Sequence, residues 1–373
     1  MTATSEARSL RVLVLTNHFS NFAGSELVAL HTAQWFAARG DAVTIGANSA
    51  GAPIMKYAEG IDVTTDIAAL KLSAFDLVWC QHDLLSLLPI EQFCEASASA
   101  VPHVAYASLS PFEPYEHFDA GLARALSAEI FANSPETAAE IIARNRGVVA
   151  PSQVHVFYNA ASEAFWRTPT APSAEALGSL LIISNHVPPE LLEAVALLQA
   201  RGIKTRLMGL HREFDLVGPD EIAAADAVVT IGKSVVYAIA QQKPVYIYDH
   251  FGGDGWLTRA SYALNAENNF SGRPNRRKLN ARALVAEITE GYADAVREAS
   301  LLGEVANFDD LKLDNHLAPL HERALARNLS WRCGKLAYWL KQPGFRAYLS
   351  TLRSKSEVMR RLHLILETGA APD

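Results

Sequence analysis

The sequence has little that would tie it to secretion, to a metal or to a membrane span. It has three cysteines in 373 residues, without Cys-x-x-Cys spacing. A disulfide framework or a zinc site is therefore not expected, and a reducing compartment fits. No apolar run reaches the length of a membrane span, and the N-terminus shows no signal-peptide pattern. We expect a cytoplasmic protein, with the inner face of the membrane as the alternative location.

Charge is distributed unevenly along the chain. The net charge is −7, but residues 321–373 carry ten lysines and arginines against four acidic residues. The acidic body would repel phosphates, so nucleic acid is not an expected partner. The tail is basic and aromatic, and such helices lie on anionic lipid headgroups, which here predicts peripheral membrane contact through 321–363. The alternative is a helix that packs back on the body with its charged face in water.

Short apolar segments alternate with segments of helical periodicity. Half of the residues are hydrophobic and a fifth are charged, as in an ordinary globular enzyme. Such alternation predicts parallel sheets covered on both faces by helices. We predict an α/β protein with two doubly wound domains, 1–165 and 166–320, facing a cleft, and a helical tail, 321–373. The predicted strands are 11–16, 42–45, 76–80, 103–106, 128–132 and 154–158 in the first domain, and 179–183, 204–208, 227–230 and 245–248 in the second.

Residues 228–257 are the most informative segment, because they have the pattern strand, glycine turn, helix, strand and second glycine segment. In open parallel sheets, ligands bind at this edge. A helix that begins at Gly232 would direct free N–H groups and its positive dipole end at an anion. Gly232 would allow close approach, Lys233 would supply charge and Ser234 a hydroxyl. The alternative is a solvated Lys233 and a Ser234 that only caps the helix.

The second glycine segment is predicted to be a loop shaped around a sugar. Gly252 and Gly253 would give it its shape, Asp254 would accept hydroxyl hydrogen bonds and Trp256 would pack on a ring face. A flexible surface loop with a buried tryptophan is the alternative. Arg273 is expected to pair with a phosphate through both guanidinium nitrogens, unless it belongs to a solvated basic turn.

Further donor-site candidates lie directly after predicted strands, at the same edge of their sheets. In the second domain we assign Ser184, Asn185 and His186 to it, and Gly209 after the next strand. In the first domain, Gly24 opens a helix and lets the backbone approach a ligand. A plain helix cap is the alternative for that loop.

A base that accepts the proton of a substrate hydroxyl is expected in the first domain. Three histidines near strand ends are candidates, His18, His82 and His117, and two carboxylates, Glu113 and Glu116, lie on a proline-rich loop. Histidines at such positions are more often structural than catalytic. We assign His82, Glu113 and Lys233 as the catalytic set, and no ligand pattern indicates a metal.

The order of these motifs resembles that of the GT-B glycosyltransferases, in particular glycosyltransferase family 4. The loop 21–26 is similar to the family's GGxE loop, near donor phosphate and acceptor, and 157–160 lies where the family has its hinge. Residues 230–244 match the family's conserved glycine-rich segment, and the family's two glutamates, eight positions apart, fall here on Val229 and Tyr237. The family's second glutamate touches the nucleotide ribose, so Tyr237 would lie at that position. The Arg and Lys that usually clamp the diphosphate are replaced by 184–186.

This resemblance implies a metal-independent transferase without a resident cofactor. It would move a sugar from a nucleotide-diphosphate donor to a hydroxyl of a cell-surface polysaccharide, a lipopolysaccharide or a lipid-linked acceptor, with retention at the anomeric carbon. Two alternatives stay open: a non-catalytic GT-B-like protein that binds a glycan or a partner, and a sugar-nucleotide epimerase. The two missing glutamates favour the first of these alternatives.

Overall fold

The computed structural model describes residues 9–90, 101–166, 176–210, 212–326 and 336–368. The first domain is built on a parallel sheet with strand order β3-β2-β1-β4-β5-β6-β7. The second is built on a sheet of order β12-β11-β10-β8-β9, parallel except for the edge strand β12. The strands are β1 Arg11–Phe19, β2 Ala42–Ala50, β3 Asp62–Thr64, β4 Leu77–Gln81, β5 His103–Ser108, β6 Glu129–Ala132, β7 Val154–Val156, β8 Ser179–Ile183, β9 Lys204–Met208, β10 Ala227–Thr230, β11 Val245–Asp249 and β12 Gly252–Trp256.

Helices cover both faces of each sheet. They are α1 Gly24–Ala37, α2 Ala120–Leu126, α3 Pro135–Arg144, α4 Pro189–Ala200, α5 Pro219–Ala223, α6 Lys233–Ala240, α7 Arg259–Glu267, α8 Ala281–Glu290, α9 Tyr292–Leu301, α10 Leu313–Leu325 and α11 Pro343–Thr368. Successive strand residues point to opposite faces, so Val12 and Val14 enter one apolar core while Leu13 and Leu15 enter the other. Two doubly wound domains and a helical tail match the predicted fold class.

The chain crosses between the domains twice, and the two crossings lie side by side. Tyr158 and Asn159 take left-handed backbone angles at the first crossing. The Ala161 N–H donates to the Leu311 carbonyl at 2.8 Å, and the Leu313 N–H donates to the Ala161 carbonyl at 2.9 Å. Helix α10 then buries its apolar face in the first domain's core. The return crossing is therefore near residue 312, not 320, because the apolar face of α10 belongs to the first domain.

The tail packs on the first domain. Leu349 and Leu352 of α11 enter that domain's core, the Ser356 and Ser86 hydroxyls are 2.7 Å apart, and Lys355 pairs with Asp83 at 3.2 Å. Among the described residues, no helix is long and apolar enough to span a bilayer. Most of the segment predicted as a linker, 166–178, and the basic aromatic stretch 327–335 lie outside the described residues.

Candidate functional site

A central cavity of about 390 Å³ lies between the domains, at the carboxyl ends of both sheets. This is the edge where doubly wound sheets bind ligands. The structure brings eight of the predicted donor-site residues together in its wall, namely Gly24, Ser184, Asn185, His186, Gly209, Gly232, Lys233 and Ser234. Short turns after β1, β8, β9 and β10 place them there, so their convergence follows from topology.

Helix α1 begins at the cavity, and an acidic side chain shapes its entry loop. The Glu26 carboxylate accepts hydrogen bonds from the N–H groups of Ser20 and Asn21, both at 2.8 Å, and of Ala23 at 3.0 Å. Ala23 offers no side-chain cap to the helix. A methyl group at Gly24 would meet no atom within 4 Å, so this position faces open space. The first turn of α1 can thus receive an anion.

Helix α6 begins at the same cavity from the other domain. Gly232 has a φ of 63°, a conformation that side-chain-bearing residues rarely adopt, and it too would place a methyl group in open space. No side chain caps this helix start. The cavity therefore receives two helix N-termini, one from each domain, and both dipoles favour negative charge between them.

Polar groups at the end of β8 complete the wall. The Ser184 hydroxyl donates to Asp249 at 2.9 Å and accepts from the His186 N–H at 2.9 Å. A Cβ at Gly209 would overlap the Ser184 carbonyl oxygen, so only glycine fits there. The His186 and His250 rings lie 5.1 Å apart, edge to face. Burial raises the pKa of the Asp249 carboxyl above its usual range. Two imidazoles thus occupy this wall.

Lys233 corrects the sequence-based interpretation. Its ammonium does not stand free in the cavity wall but donates to the carbonyl oxygens of Asn159 at 3.1 Å and Ala160 at 3.0 Å. The side chain is buried, and burial lowers its pKa to about 7. Lys233 joins the start of α6 to the domain crossing, so the predicted phosphate and catalytic roles of its ammonium do not match its position.

Tyr237 does not reach the cavity either. Its ring is fully buried and stacks on Phe165 with centroids 4.0 Å apart, and its hydroxyl lies 3.3 Å from His31 Nδ1. The predicted ribose contact is therefore wrong for this side chain. Tyr237 follows Lys233 by one turn of α6. It lies on the face of the helix that packs into the core, where its ring fills the interior.

The second glycine segment forms strand β12 rather than a loop around a sugar. A Cβ at Gly253 would overlap the Ile247 carbonyl oxygen, and one at Gly252 would lie 2.6 Å from the Arg277 carbonyl oxygen. The Asp254 carboxylate accepts the Asn275 N–H at 3.1 Å, and Trp256 donates to the Glu287 carbonyl at 3.1 Å. None of 252–256 lines the central cavity. These glycines permit close backbone packing in a bulged edge strand, which corrects their predicted ligand role.

Arg273 lies beside the site but is already paired. Its guanidinium bonds Glu136 of the first domain and lies 4.6 Å above the Phe112 ring. Burial lowers its pKa from the usual value, although Glu136 opposes that shift. It lines a second cavity of about 480 Å³ that adjoins the first. The predicted phosphate clamp therefore conflicts with its ion pair.

The catalytic candidates of the first domain separate in the structure. Glu113 lines the second cavity, whereas Glu116 lines the central one and is 7% exposed. Burial raises the pKa of Glu116 to about 8. Its Oε2 accepts the Leu109 N–H at 2.7 Å, and its Oε1 lies 3.6 Å from Nε2 of the buried His82. Both carboxylates lie on the same proline-rich loop, so the sequence could not show which of them reaches the central cavity.

His82 takes an orientation set by the backbone. The Asn17 N–H donates to its Nδ1 at 3.1 Å, so the neutral ring carries its proton on Nε2, facing Glu116. The other two histidines stand apart from this pair. His18 lies 3.1 Å from the Ser49 hydroxyl, and His117 contacts Arg144. His82 and Glu116 thus form a proton-holding pair at the cavity wall.

Contacts between the domains lie at the wall of the cavity and were not predicted. Asp215 lines the cavity and bonds Tyr57 and Lys56 of the first domain, the latter at 2.9 Å. Phe22 packs edge to face on Phe214 with centroids 5.2 Å apart. Sequence patterns gave no signal for these pairs, because each joins loops more than 150 positions apart.

Comparison with known proteins supports the fold. No protein-family model and no curated protein matches the chain. A glycosyltransferase from Rickettsia africae is 11% identical, covers 86% of this chain and 100% of its own, and superposes with a TM-score of 0.51. An α-glucosyltransferase in complex with UDP and DNA covers 86% and 100% at 10% identity and a TM-score of 0.48. WaaG, a glycosyltransferase involved in lipopolysaccharide biosynthesis, covers 88% and 99% at 11% identity and 0.38.

At such low identity a structural likeness informs about the fold and not about the reaction. The likeness to the Rickettsia africae protein spans both domains of the present chain. It agrees with two parallel sheets whose carboxyl edges face a common cavity. The protein therefore has the GT-B glycosyltransferase fold.

Proposed function

We propose that the protein is a glycosyltransferase that binds a nucleotide-diphosphate sugar in the central cavity and transfers the sugar to an acceptor hydroxyl. The observation that carries the proposal is the meeting of two helix N-termini, at Gly24 and Gly232, in one cavity, where neither N-cap residue offers a side-chain hydrogen bond to its helix. Backbone amides and dipole ends attract a diphosphate without any cationic side chain. This fits the relocation of Lys233 and Arg273 to other partners.

Catalysis would rest on stabilising the leaving diphosphate. Negative charge develops on the diphosphate oxygen that is bonded to the anomeric carbon as this bond breaks. Preorganised amides stabilise that charge best where water is excluded. The contacts of Asp215 with the first domain hold the two walls together around the cavity. His186 and the Ser184 hydroxyl lie on the same wall and would bind phosphate oxygens or sugar hydroxyls.

Glu116 would act as the general base for the acceptor. The acceptor hydroxyl would lose its proton to the Glu116 carboxylate, its oxygen would bond to the anomeric carbon, and the diphosphate would leave with the bonding pair. His82, with its Nε2 proton facing Glu116, would stabilise the ionised carboxylate. Such a direct displacement inverts the anomeric carbon, whereas the family resemblance implies retention. Proton NMR of the product's anomeric coupling distinguishes the two.

The test of the proposed function is a panel of nucleotide sugars incubated with the protein. Release of nucleoside diphosphate is measured without acceptor, where slow hydrolysis is expected, and with a mixture of oligosaccharides, where faster release is expected. Release from no donor under either condition would remove the transferase proposal. Epimerised donor without any acceptor would identify the epimerase instead.

A non-catalytic binding protein is the second candidate, and one observation favours it. Val229 and Tyr237 fall where the resembled family has its two glutamates, and both are fully buried in the second domain's core. A small shift of the backbone would not bring either side chain into the cavity. Under this candidate, a nucleotide sugar would stabilise the protein but would stay intact over hours of incubation.

A further inference from the structure

The second cavity adjoins the central one at the start of helix α6. The two cavities share Leu109, Ile231, Gly232 and Asn269. Leu109 also donates its N–H to Glu116. A ligand in the second cavity would therefore reach, at its inner end, the point where the proposed diphosphate and the proposed base meet.

Two large apolar rings line this second cavity at exposed positions. Phe112, from the first domain, is 58% exposed, and Phe251, from the second domain, is 39% exposed. Apolar rings that are exposed together in one concave surface are typical of ligand-binding grooves. The Phe112 ring is fixed from one side by the Arg273 guanidinium, and the Phe251 ring packs against His250 with centroids 3.9 Å apart. Both rings are thus held in place before any ligand arrives.

The polar groups of the second cavity suit hydroxyls. Ser110, Glu113 and Arg276 line it together with the two rings. Arg276 is exposed and makes no ion pair with any residue of the described ranges. A guanidinium and a carboxylate present donors and acceptors in fixed planes, which is the complement of a ring bearing several hydroxyls.

We propose that the second cavity binds a saccharide acceptor, with one pyranose ring packed between Phe112 and Phe251. The C–H faces of a pyranose pack on aromatic rings, while its hydroxyls bond Glu113 and Arg276. This inference rests on the proposed function, because it gives the acceptor hydroxyl its place beside Glu116. A lipid chain is the less favoured occupant, because the cavity wall carries both signs of charge.

The two rings belong to different domains, so the saccharide site is complete only when the domains are together. A ligand that spans both domains favours the closed arrangement, and so does a diphosphate between α1 and α6. Each should therefore strengthen the binding of the other, since coupling between two sites is reciprocal. A saccharide site confined to one domain would show no such coupling.

The test uses an array of immobilised neutral and acidic oligosaccharides, probed with the full-length protein alone and with a mixture of UDP, GDP, ADP, CDP and TDP. We expect saccharide binding that increases with the nucleotides. Phe112→Ala/Phe251→Ala should weaken it about tenfold, from the loss of two ring contacts. Leu264→Ala, which removes an exposed leucine outside both cavities, is the matched control and should bind as the unmodified protein does.

Thermal stabilisation by the same nucleotides keeps the two proposals separate. The double variant should retain this stabilisation, which also shows that it is folded. No saccharide binding in the unmodified protein, or binding that the double variant retains in full, would overturn the acceptor site. The proposed function would then stand on nucleotide stabilisation alone, and it would fail separately if that were absent.

Discussion

Glu116 is the residue on which the proposed chemistry turns. Replacing it by glutamine keeps the size and the Leu109 hydrogen bond but removes the base. Transfer should slow about 10²- to 10⁴-fold, measured as initial rates with a donor from the panel, while the nucleotide dissociation constant stays unchanged. Glu59→Gln, at an exposed position outside both cavities, is the control and should keep the full rate. Equal losses in both variants would contradict the assignment.

The pH dependence follows from the same carboxyl. Because burial raises its pKa to about 8, most Glu116 side chains are protonated at pH 7 and cannot accept a proton. The transfer rate should therefore rise with pH, pass through half of its maximum near pH 8 and level off about one pH unit higher, and the Glu116→Gln variant should lack this rise. A rate that falls from pH 6 to pH 8 would assign the carboxyl an acid role instead.

Lys233 should affect stability rather than ligand binding. Its pKa is about 7 in the folded protein and near 10.4 in the unfolded chain. The unfolded state thus binds the extra proton between these values, and stability rises with pH in that window, by up to about 1.4 kcal/mol per pH unit. Urea unfolding at pH 7 and pH 9 should show this rise for the unmodified protein relative to Lys233→Met.

The nucleotide dissociation constant of Lys233→Met should stay within about twofold of the original, because the ammonium donates to backbone carbonyls rather than to a ligand. A loss of tenfold or more would return Lys233 to the phosphate site. Sequence order alone placed this residue at a helix start near a ligand. It could not show where a long side chain turns, since that depends on the crossing 159–160 beside it.

At the scale of elements, local patterns were sufficient for most strands. The predicted strands 103–106 and 179–183 are fully or largely buried apolar runs, and they form β5 and β8. The location of the site could be predicted from these strands, because the carboxyl ends of parallel strands lie at the same edge of a sheet. Glu116 could not be chosen over Glu113 in this way, since its burial comes from β4 and β5 packing around the loop. The β12 glycines were misinterpreted because a bulged edge strand and a loop have the same composition.

Strand β12 gives a prediction of its own. Gly253→Ala should destabilise the second domain by about 1–3 kcal/mol, because the added methyl group overlaps the Ile247 carbonyl oxygen. Urea unfolding measures the change. Gly344→Ala, at a helical position where a methyl group meets no atom within 4 Å, should leave stability equal or slightly higher. An unchanged midpoint for Gly253→Ala would mean that the edge strand is loosely held.

At the scale of the whole molecule, the basic tail packs on the acidic body of the protein. Several of its basic residues serve packing on the first domain, as the Lys355 ion pair with Asp83 shows. Beyond Ser356 the described side chains of α11 are not buried, and Val358, Leu362 and Ile365 are exposed along one face. The boundary at 320 failed because only packing reveals that α10 belongs to the first domain.

We expect this end of α11 to bind anionic membranes modestly, at about 1 kcal/mol per basic residue near the surface. Sedimentation with phosphatidylglycerol vesicles at low salt should recover the protein, high salt should release it, and Leu362→Glu should weaken the binding. Pure phosphatidylcholine vesicles are the control. Absence of binding at low salt would mean that this end of α11 has only a structural role, with one face exposed to solvent.

The central claim, that a diphosphate lies between the starts of α1 and α6, is tested most directly by nucleotide binding to a Gly24 variant. Calorimetry with UDP, GDP, ADP, CDP and TDP should show at least one that binds, while the corresponding nucleoside binds far more weakly. Gly24→Asp places a carboxylate in open cavity space and should weaken that binding at least about tenfold, whereas Gly24→Ala should not. Unchanged affinity in Gly24→Asp, or no binding of any nucleoside diphosphate by the unmodified protein, would contradict the account.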